Sequence, residues 1–218
     1  EVDKLPQHLH DSFIALIDAA KRQATEANHS ATHLLHAALR KVLGPHVEQK
    51  GSLVNADYLR FDFSHFAKMS DEELLAVEQE VNSRVEAGIA LEEHRQMAIA
   101  EAKAMGAMAL FGEKYGEQVR VVCFDRNYSV ELCGGTHVAN TAHIGLFKIT
   151  TESSIATGVR RIEAFTGQKA REWVQGQLEE LQQIRDLLKN PKDLIQQTQK
   201  VLEETNALKK ELAQLEDA

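Results

Sequence analysis

Two pairs of residues in this sequence have a spacing with clear chemical meaning. His29 and His33 are four residues apart among helix formers, so both imidazoles would face the same side of a helix, with Cβ atoms about 5–6 Å apart. Cys133 and His137 flank Gly134-Gly135, and glycine lets the backbone bend sharply enough to return both side chains to one point. Three imidazoles and a thiolate form a tetrahedral donor set for Zn²⁺. We therefore predict a zinc site at His29, His33, Cys133 and His137.

Each half of this pattern is weak by itself. The chain contains 10 His, so a pair at helical spacing arises by chance, and His29 and His33 could equally form a solvated helix face. His36 follows one turn later and could touch the edge of the site or be a surface residue. Cys123, within Val-Val-Cys-Phe, is expected to be a small buried hydrophobe. The combination of the two pairs favours a metal site over accident.

Other catalytic signatures are missing from the sequence. It contains no His-Glu-x-x-His, no Gly-Lys-Ser/Thr phosphate loop and no Gly-x-Gly-x-x-Gly, so a zinc protease, an NTPase and a dinucleotide enzyme lose support. A basic group made of Lys148, Arg160 and Arg161 could bind a phosphate or form a solvated strand end, and the two interpretations carry equal weight.

Helices and short strands are predicted to position these residues. Asp18 fits an N-cap for a helix from Ala19 to Leu43, which Gly44-Pro45 would end. A capping box at Ser70–Glu73 predicts a helix to about Val85. An Ala-rich helix is predicted over Met97–Phe111, and a turn at Lys50–Ser52 between extended segments. Strands are predicted at Ser12–Ile17, Leu59–His65, Gln118–Phe124, Ile144–Thr150 and Val159–Phe165. This order favours an α+β domain with an antiparallel or mixed sheet.

A helical tail is predicted after Gly167. Apolar residues and threonines repeat at spacings of four and three from Leu194 to Leu215, which is a heptad pattern. An earlier apolar stripe ends before Asn190-Pro191, so two helices would form a hairpin or an extended coiled coil. A helix packed on its own domain is the alternative. We predict three regions: 1–17 as the end of a preceding domain or a linker strand, 18–167 as the main domain, and 168–218 as the tail.

Length and charge limit the class of protein. The 218 residues fit one large domain or one domain with an appendage, and 2 Cys cannot form a disulfide framework. The net charge of −8 argues against non-specific nucleic-acid binding, although a local basic face is compatible with it. We expect no membrane span, no signal peptide and a cytoplasmic location. Since the chain opens Glu-Val-Asp without Met, we expect a piece of a longer protein or a processed one.

Several of these segments together resemble one family. The run from Asn28 to Arg40, which contains both helix histidines, resembles the opening helix of the editing domain of alanyl-tRNA synthetases. The segments Gln49–Val54, Leu59–His65, Cys133–His137 and Gly158–Ala164 are similar to later segments of that domain, in the same order. The resemblance covers about 18–167. The tail resembles the start of the C-terminal region of the same enzymes, less specifically.

This resemblance implies a function and a site. The family domain is an α+β editing domain, shared with threonyl-tRNA synthetases and with free-standing editing proteins, that hydrolyses serine or glycine from mischarged alanine tRNA. It implies Zn²⁺ on His29, His33, Cys133 and His137, and an amino-acid pocket at Thr32 and Gln49. No class II synthetase motifs are present, so the resemblance implies editing without ATP binding or tRNA charging by this piece, both of which the parent enzyme performs.

Two further expectations concern partners. Arg160, Arg161 and Lys148, with Arg40 and Lys41, are candidate contacts to tRNA phosphates, and 168–218 is a candidate homodimer interface. Two rival interpretations stay open at this stage. One is a non-catalytic, zinc-stabilised module that binds tRNA or dimerises through its tail. The other is a free-standing editing protein, which the absent Met and the heptad tail disfavour.

Overall fold

The structure, a computed structural model, describes residues 16–108 and 115–216. The helices in these ranges are α1 (Ala19–Leu43), α2 (Asp71–Glu86), α3 (Ile99–Ala104), α4 (Gly167–Leu187) and α5 (Leu194–Glu216). The strands are β1 (Gln49–Val54), β2 (Leu59–Ser64), β3 (Glu92–Ala98), β4 (Gln118–Cys123), β5 (Val130–Leu132), β6 (Phe147–Ala156) and β7 (Val159–Thr166), with a 3₁₀ helix at Thr141–Ile144. The predicted α+β class is confirmed.

The strands form two antiparallel sheets. One has the order β1-β2-β7-β6 and the other the order β3-β4-β5. The main core lies where α1 and α2 pack near the first sheet, and it is built from large side chains such as Leu34, Leu35, Phe61, Phe63 and Ile162. A smaller core belongs to the second sheet and contains Cys123, as predicted.

The helix that carries the two histidines has well-defined ends. The Asp18 side chain accepts a hydrogen bond from the Lys21 backbone N–H at 3.0 Å, which caps the first turn. Gly44, with φ of 117°, ends α1 in a backbone conformation that favours glycine. Between these caps the helix buries one continuous segment, Ala27–Leu39 apart from His29, which is half-buried. The histidines therefore sit on a helix that the core holds in place.

The chain divides into two compact units, residues 1–170 and 171–218. In the second unit α4 ends and α5 begins on either side of Asn190-Pro191, as the sequence predicts, and Lys189 and Asn190 both have positive φ. No residue of α5 is buried. In the described ranges no helix is long and apolar enough to cross a membrane.

Some predicted elements are wrong or misplaced. The Ala-rich segment is not one helix from Met97: β3 pairs with β4 through Ala98, and α3 covers only Ile99–Ala104, because sheet pairing outweighs helix propensity there. Residues 109–111 of that prediction lie outside the described residues. The strand predicted from Ile144 begins at Phe147, after a break at Gly145 (φ of 70°), and continues to Ala156.

Two predictions near the start of the chain also differ from the structure. No turn forms at Lys50–Ser52, because β1 runs through it with a shift of register. Gly51 allows the strands to approach closely, since a Cβ there would lie 3.3 Å from Asp62 Oδ2. Most of the strand predicted at 12–17 lies outside the described residues, and Leu16 and Ile17 are exposed and outside any strand.

Candidate metal centre

The four predicted ligands converge on one point. One nitrogen or sulfur atom from each of His29, His33, Cys133 and His137 lies within 4.8 Å of the others. Cys133 Sγ is 3.5 Å from His29 Nε2 and 3.3 Å from His137 Nε2. Zn–S and Zn–N bonds of about 2.3 and 2.0 Å at tetrahedral angles place ligand atoms about 3.5 Å apart. The donor types and the two distances from Cys133 Sγ therefore fit a zinc ion.

The segment that carries Cys133 and His137 approaches α1 so closely that one position admits only glycine. A Cβ on Gly135 would lie 2.2 Å from His29 Cε1, well inside van der Waals contact. The neighbouring Gly134 has open space around its missing Cβ. Of the two glycines that suggested a sharp bend, Gly135 is thus the one that lets this segment reach the His29 ring.

Arg120, in β4 of the second sheet, fixes this segment by hydrogen bonds to its backbone. Arg120 Nη1 donates to the carbonyl oxygens of Cys133 at 2.8 Å and of Gly135 at 2.5 Å, while its Nε donates to Glu93 at 2.7 Å. The guanidinium is fixed by its own carboxylate partner and holds two carbonyls in one geometry. Sequence reasoning missed Arg120, since nothing in the local pattern of β4 distinguishes it.

Further polar side chains stand behind the imidazoles. Ser30 Oγ lies 3.2 Å from His137 Nδ1 and accepts a hydrogen bond from the Val138 N–H at 3.1 Å. Glu131 Oε2 lies 2.7 Å from His33 Nδ1, although the ring N–H is not aligned with it for a hydrogen bond. Sequence reasoning missed both residues. For Glu131 the sequence offers one signal, an acidic residue between the apolar residues Val130 and Leu132.

The electrostatics of the cluster favour the metal-binding form of Cys133 and His137 and oppose it for His33. Burial would raise the pKa of the Cys133 thiol, but the surrounding imidazoles lower it to about 3, so a thiolate is favoured. Burial lowers the pKa of His137 to about 4, which keeps that imidazole neutral. Burial also opposes the charged form of His33, but the Glu131 carboxylate outweighs it and raises the pKa to about 10. Zinc binds a thiolate and neutral imidazoles, so the pKa values of Cys133 and His137 favour metal binding, whereas His33 has to release a proton when an ion binds.

The two residues implied to line an amino-acid pocket lie on different elements. Thr32 is buried on α1 between the two helix histidines, and its hydroxyl donates to the Asn28 carbonyl at 2.9 Å. Gln49 lies half-buried on the edge strand β1, and its amide donates to Ser52 Oγ at 3.2 Å. Among the described residues the two side chains share no hydrogen bond, so their role stays a prediction.

The predicted tRNA-contacting residues each bind an acidic side chain. Lys148 Nζ donates to Glu78 at 2.8 Å. Arg160 forms a two-point ion pair with Glu152. Arg161 forms another, with Nε and Nη2 at 2.7 and 2.8 Å from the carboxylate oxygens of Asp62.

The two other candidate contacts also have partners. Arg40 donates to the carbonyls of Pro45 and Val47, and Lys41 pairs with Glu80. All five basic side chains therefore have local partners, and a role in binding tRNA stays a prediction.

Part of this chain matches a known family, and nearly all of it is similar to known enzymes. Residues 119–163 match the family described as the threonyl and alanyl tRNA synthetase second additional domain, and this stretch includes Cys133 and His137. Over 97% of its length the chain is 56% identical to an alanine–tRNA ligase of Porphyromonas gingivalis. Over 96% it is 55% identical to that of Cytophaga hutchinsonii and 54% identical to that of Bacteroides fragilis.

These matches confirm the resemblance to alanyl-tRNA synthetases. The chain spans about a quarter of the length of these curated relatives, 24% in each case. The similarity therefore concerns one part of a much longer enzyme. That part contains the four residues His29, His33, Cys133 and His137, which we call the metal-type cluster.

Proposed function

We propose that this chain is the editing part of an alanine–tRNA ligase, which removes serine or glycine from mischarged alanine tRNA. The convergence of His29, His33, Cys133 and His137 carries the proposal, because a three-nitrogen, one-sulfur site is suited to zinc. The similarity to alanine–tRNA ligases supports alanine tRNA as the substrate class. The whole enzyme would charge tRNA with alanine using ATP in the cytoplasm, through parts outside this chain.

The reaction is hydrolysis of an ester. Water adds to the carbonyl carbon, the bond to the terminal ribose oxygen breaks, and the free amino acid and tRNA leave. When bound, zinc supplies Lewis-acid chemistry and organises the pocket. The four side chains would hold it, with the imidazole of His137 anchored by Ser30 and the Cys133 segment by Arg120.

Selection of serine over alanine requires a site that recognises the extra hydroxyl. A synthetic pocket rejects an added hydroxyl poorly, so a second, hydrolytic site is the general remedy. Since the Thr32 hydroxyl donates to Asn28, its oxygen keeps lone pairs to accept from a serine hydroxyl. Alanine would leave that buried oxygen without this partner, which disfavours binding of the correct product. Gln49 would add an amide to the same pocket.

Binding of tRNA through this chain alone would be weak. The net charge of −8 opposes phosphate binding, and Lys148, Arg160 and Arg161 remain the proposed contacts in spite of their acidic partners. We expect affinity to fall as salt rises. Equal affinity at about 50 and 500 mM salt would contradict a phosphate-based contact.

The test is deacylation of seryl- and alanyl-tRNA, both on alanine tRNA, with and without a strong zinc chelator. We expect hydrolysis of the serine ester only, and its loss on chelation. If folded, zinc-loaded chain hydrolyses neither ester, the proposal for this chain is wrong and a non-catalytic zinc module takes its place.

A second candidate function is self-association through the tail. Leucines of the heptad pattern in α5 are exposed to solvent. The exposed fractions of Leu208, Leu212 and Leu215 are 58–76%. A stripe of this kind is typical of a surface that another helix covers. Sedimentation across a concentration range tests it, since a chain that stays monomeric throughout has no such interface.

A further inference from the structure

A buried carboxylate without an assigned role lies directly behind the metal-type cluster. Glu131 is 4% exposed and lies in β5 between two apolar residues. An ionised side chain at this depth destabilises the fold unless a partner compensates its charge. Its partners therefore indicate why it is there.

Glu131 contacts two histidines of α1, one with each oxygen. Oε2 is 2.7 Å from His33 Nδ1, and Oε1 is 3.0 Å from His36 Nδ1. Both rings are buried, with exposures of 5% and 6%. One carboxylate thus connects a predicted zinc ligand to a histidine outside the ligand set.

Glu131 lies on the Nδ1 side of the His33 ring, which leaves Nε2 for the cluster. A neutral imidazole carries one proton, and the group beside one nitrogen decides where that proton resides. The negative charge of a carboxylate 2.7 Å from Nδ1 attracts the proton to that nitrogen, even without an aligned hydrogen bond, and leaves the lone pair on Nε2. The Nε2 atoms of His29 and His137 already lie beside Cys133 Sγ, so His33 would complete the set through the same atom.

The surroundings of His36 fit a role in holding the carboxylate. Its Nδ1 contacts Glu131, whereas its buried Nε2 has no hydrogen-bond partner among the described residues. The ring lies 5.3 Å from the ring of Phe61, between centroids. Among the described residues, the His36 side chain therefore makes its polar contact with Glu131 alone.

We propose that Glu131 is a positioning residue for the metal centre, which fixes His33 with Nε2 toward the ion while His36 holds the second carboxylate oxygen. This inference rests on the metal-binding part of the proposed function and not on the deacylase step. It predicts that loss of the carboxylate weakens metal binding although every ligand is still present.

The first test needs no substitution. In zinc-loaded protein with ¹⁵N-labelled histidine, long-range ¹H–¹⁵N spectra distinguish the two ring nitrogens. We expect His33 to be coordinated through Nε2 and to carry its proton on Nδ1. Coordination through Nδ1 would overturn the proposal, because Glu131 occupies that side of the ring.

The second test uses Co²⁺ as a spectroscopic probe in a competition titration. Glu131→Gln keeps the shape and removes the charge, so we expect Co²⁺ affinity to fall about 10–100-fold, the usual range for such outer partners. Glu92→Gln is the control, since Glu92 pairs with Arg126 on the surface of the second sheet. Affinity of Glu131→Gln within about twofold of that control would contradict the proposal.

Variants of His36 separate positioning from simple packing. His36→Asn keeps a donor near the Nδ1 position and should bind Co²⁺ like the wild type. His36→Phe keeps a ring beside Phe61 without a donor and should weaken binding. If both variants bind equally well, His36 does not hold the carboxylate.

These readouts are independent of the deacylation assay. Wild-type protein that binds metal through His33 Nε2 but hydrolyses no ester would remove the editing proposal and leave this one standing. Wild-type protein that binds no Co²⁺ would overturn this inference. Should Glu131→Gln fail to fold, the tautomer measurement on the wild type still decides.

Discussion

The metal-type cluster and the basic group formed by Lys148, Arg160 and Arg161 use charged side chains in opposite ways. The cluster brings donor atoms from α1 and from the segment that follows β5 within 4.8 Å of one another. Each member of the basic group has instead its own carboxylate partner in the described structure. Chemically suggestive residues therefore indicate a binding site more strongly when they converge than when they are close along the chain.

The largest expected effect is in the cluster. Cys133→Ala removes a ligand, so we expect zinc content to fall from one ion per chain to near zero and serine-ester hydrolysis to be lost. The loss in affinity should exceed the roughly 10–100-fold of an outer-partner change. Elemental analysis and the deacylation assay measure both. Cys123→Ala, in the other core, is the matched control and should retain zinc.

The outcome of Cys133→Ala also separates the two proposed classes of function. An unchanged helical circular dichroism spectrum without hydrolysis supports an editing site. Broad unfolding on loss of metal supports a zinc-stabilised module without catalysis.

The next largest effect on metal affinity is expected at Gly135, where a methyl group would be added. Gly135→Ala places a Cβ 2.2 Å from His29 Cε1, so the ring or the segment must move. We expect metal affinity to fall about 10–100-fold, comparable with loss of an outer partner. Gly134→Ala, where the space is open, should bind like the wild type. Equal binding by the two variants in a Co²⁺ titration would mean that this close approach does not matter.

A smaller effect is expected when a residue of the basic group is changed, and the quantity affected is the stability of the fold. Arg160→Ala leaves the Glu152 carboxylate, whose side chain is 3% exposed, without its two-point partner. We expect the free energy of unfolding to fall by about 1–3 kcal/mol, as measured by denaturant titration. Lys200→Ala removes an exposed pair with Glu204 and should change it by less than about 0.5 kcal/mol.

The same variant tests the tRNA-contact role of Arg160. If Arg160 contacts a tRNA phosphate as proposed, the slope of tRNA affinity against salt should fall by about one unit in Arg160→Ala. An unchanged slope would contradict that contact and would mean that Glu152 keeps the guanidinium occupied, which would sharpen the contrast between cluster and basic group.

The smallest effect concerns a surface ion pair. Hydrogen bonds from Arg126 and His94 lower the pKa of Glu92 from 4.5 to about 2. Since the folded-state pKa is the lower one, the stabilisation is present above about pH 4.5 and is lost as pH falls toward 2. The difference in melting temperature between wild type and Glu92→Gln should therefore shrink over that window. Arg126→Gln should show the same trend, and a difference that is constant with pH would contradict the assignment.

Much of the first sheet and its helices could be predicted because their signals are local. Caps at Asp18 and Ser70 and the alternation in β2 depend on neighbouring residues alone. The strands β3 and β5 were missed because their pairing is decided by contacts with β4 rather than by their own composition.

The residues of the candidate site likewise fall into two groups, those that local sequence reveals and those that only the folded structure reveals. The spacing of His29 with His33 and of Cys133 with His137 is readable in sequence, and the structure brings the two pairs together. Glu131 and Arg120 act on residues of other segments, so only the folded chain shows what they contact. The positions that support a ligand set are thus harder to predict than the ligands.

The two halves of the cluster are also separated in time. His29 and Cys133 are 104 residues apart, and ribosomes add about 5–20 residues per second. The helix histidines are therefore synthesised roughly 5–20 seconds before Cys133. A site that needs all four side chains can therefore form only after residue 137 has been synthesised, so metal binding would be a late step in the cotranslational folding of this region.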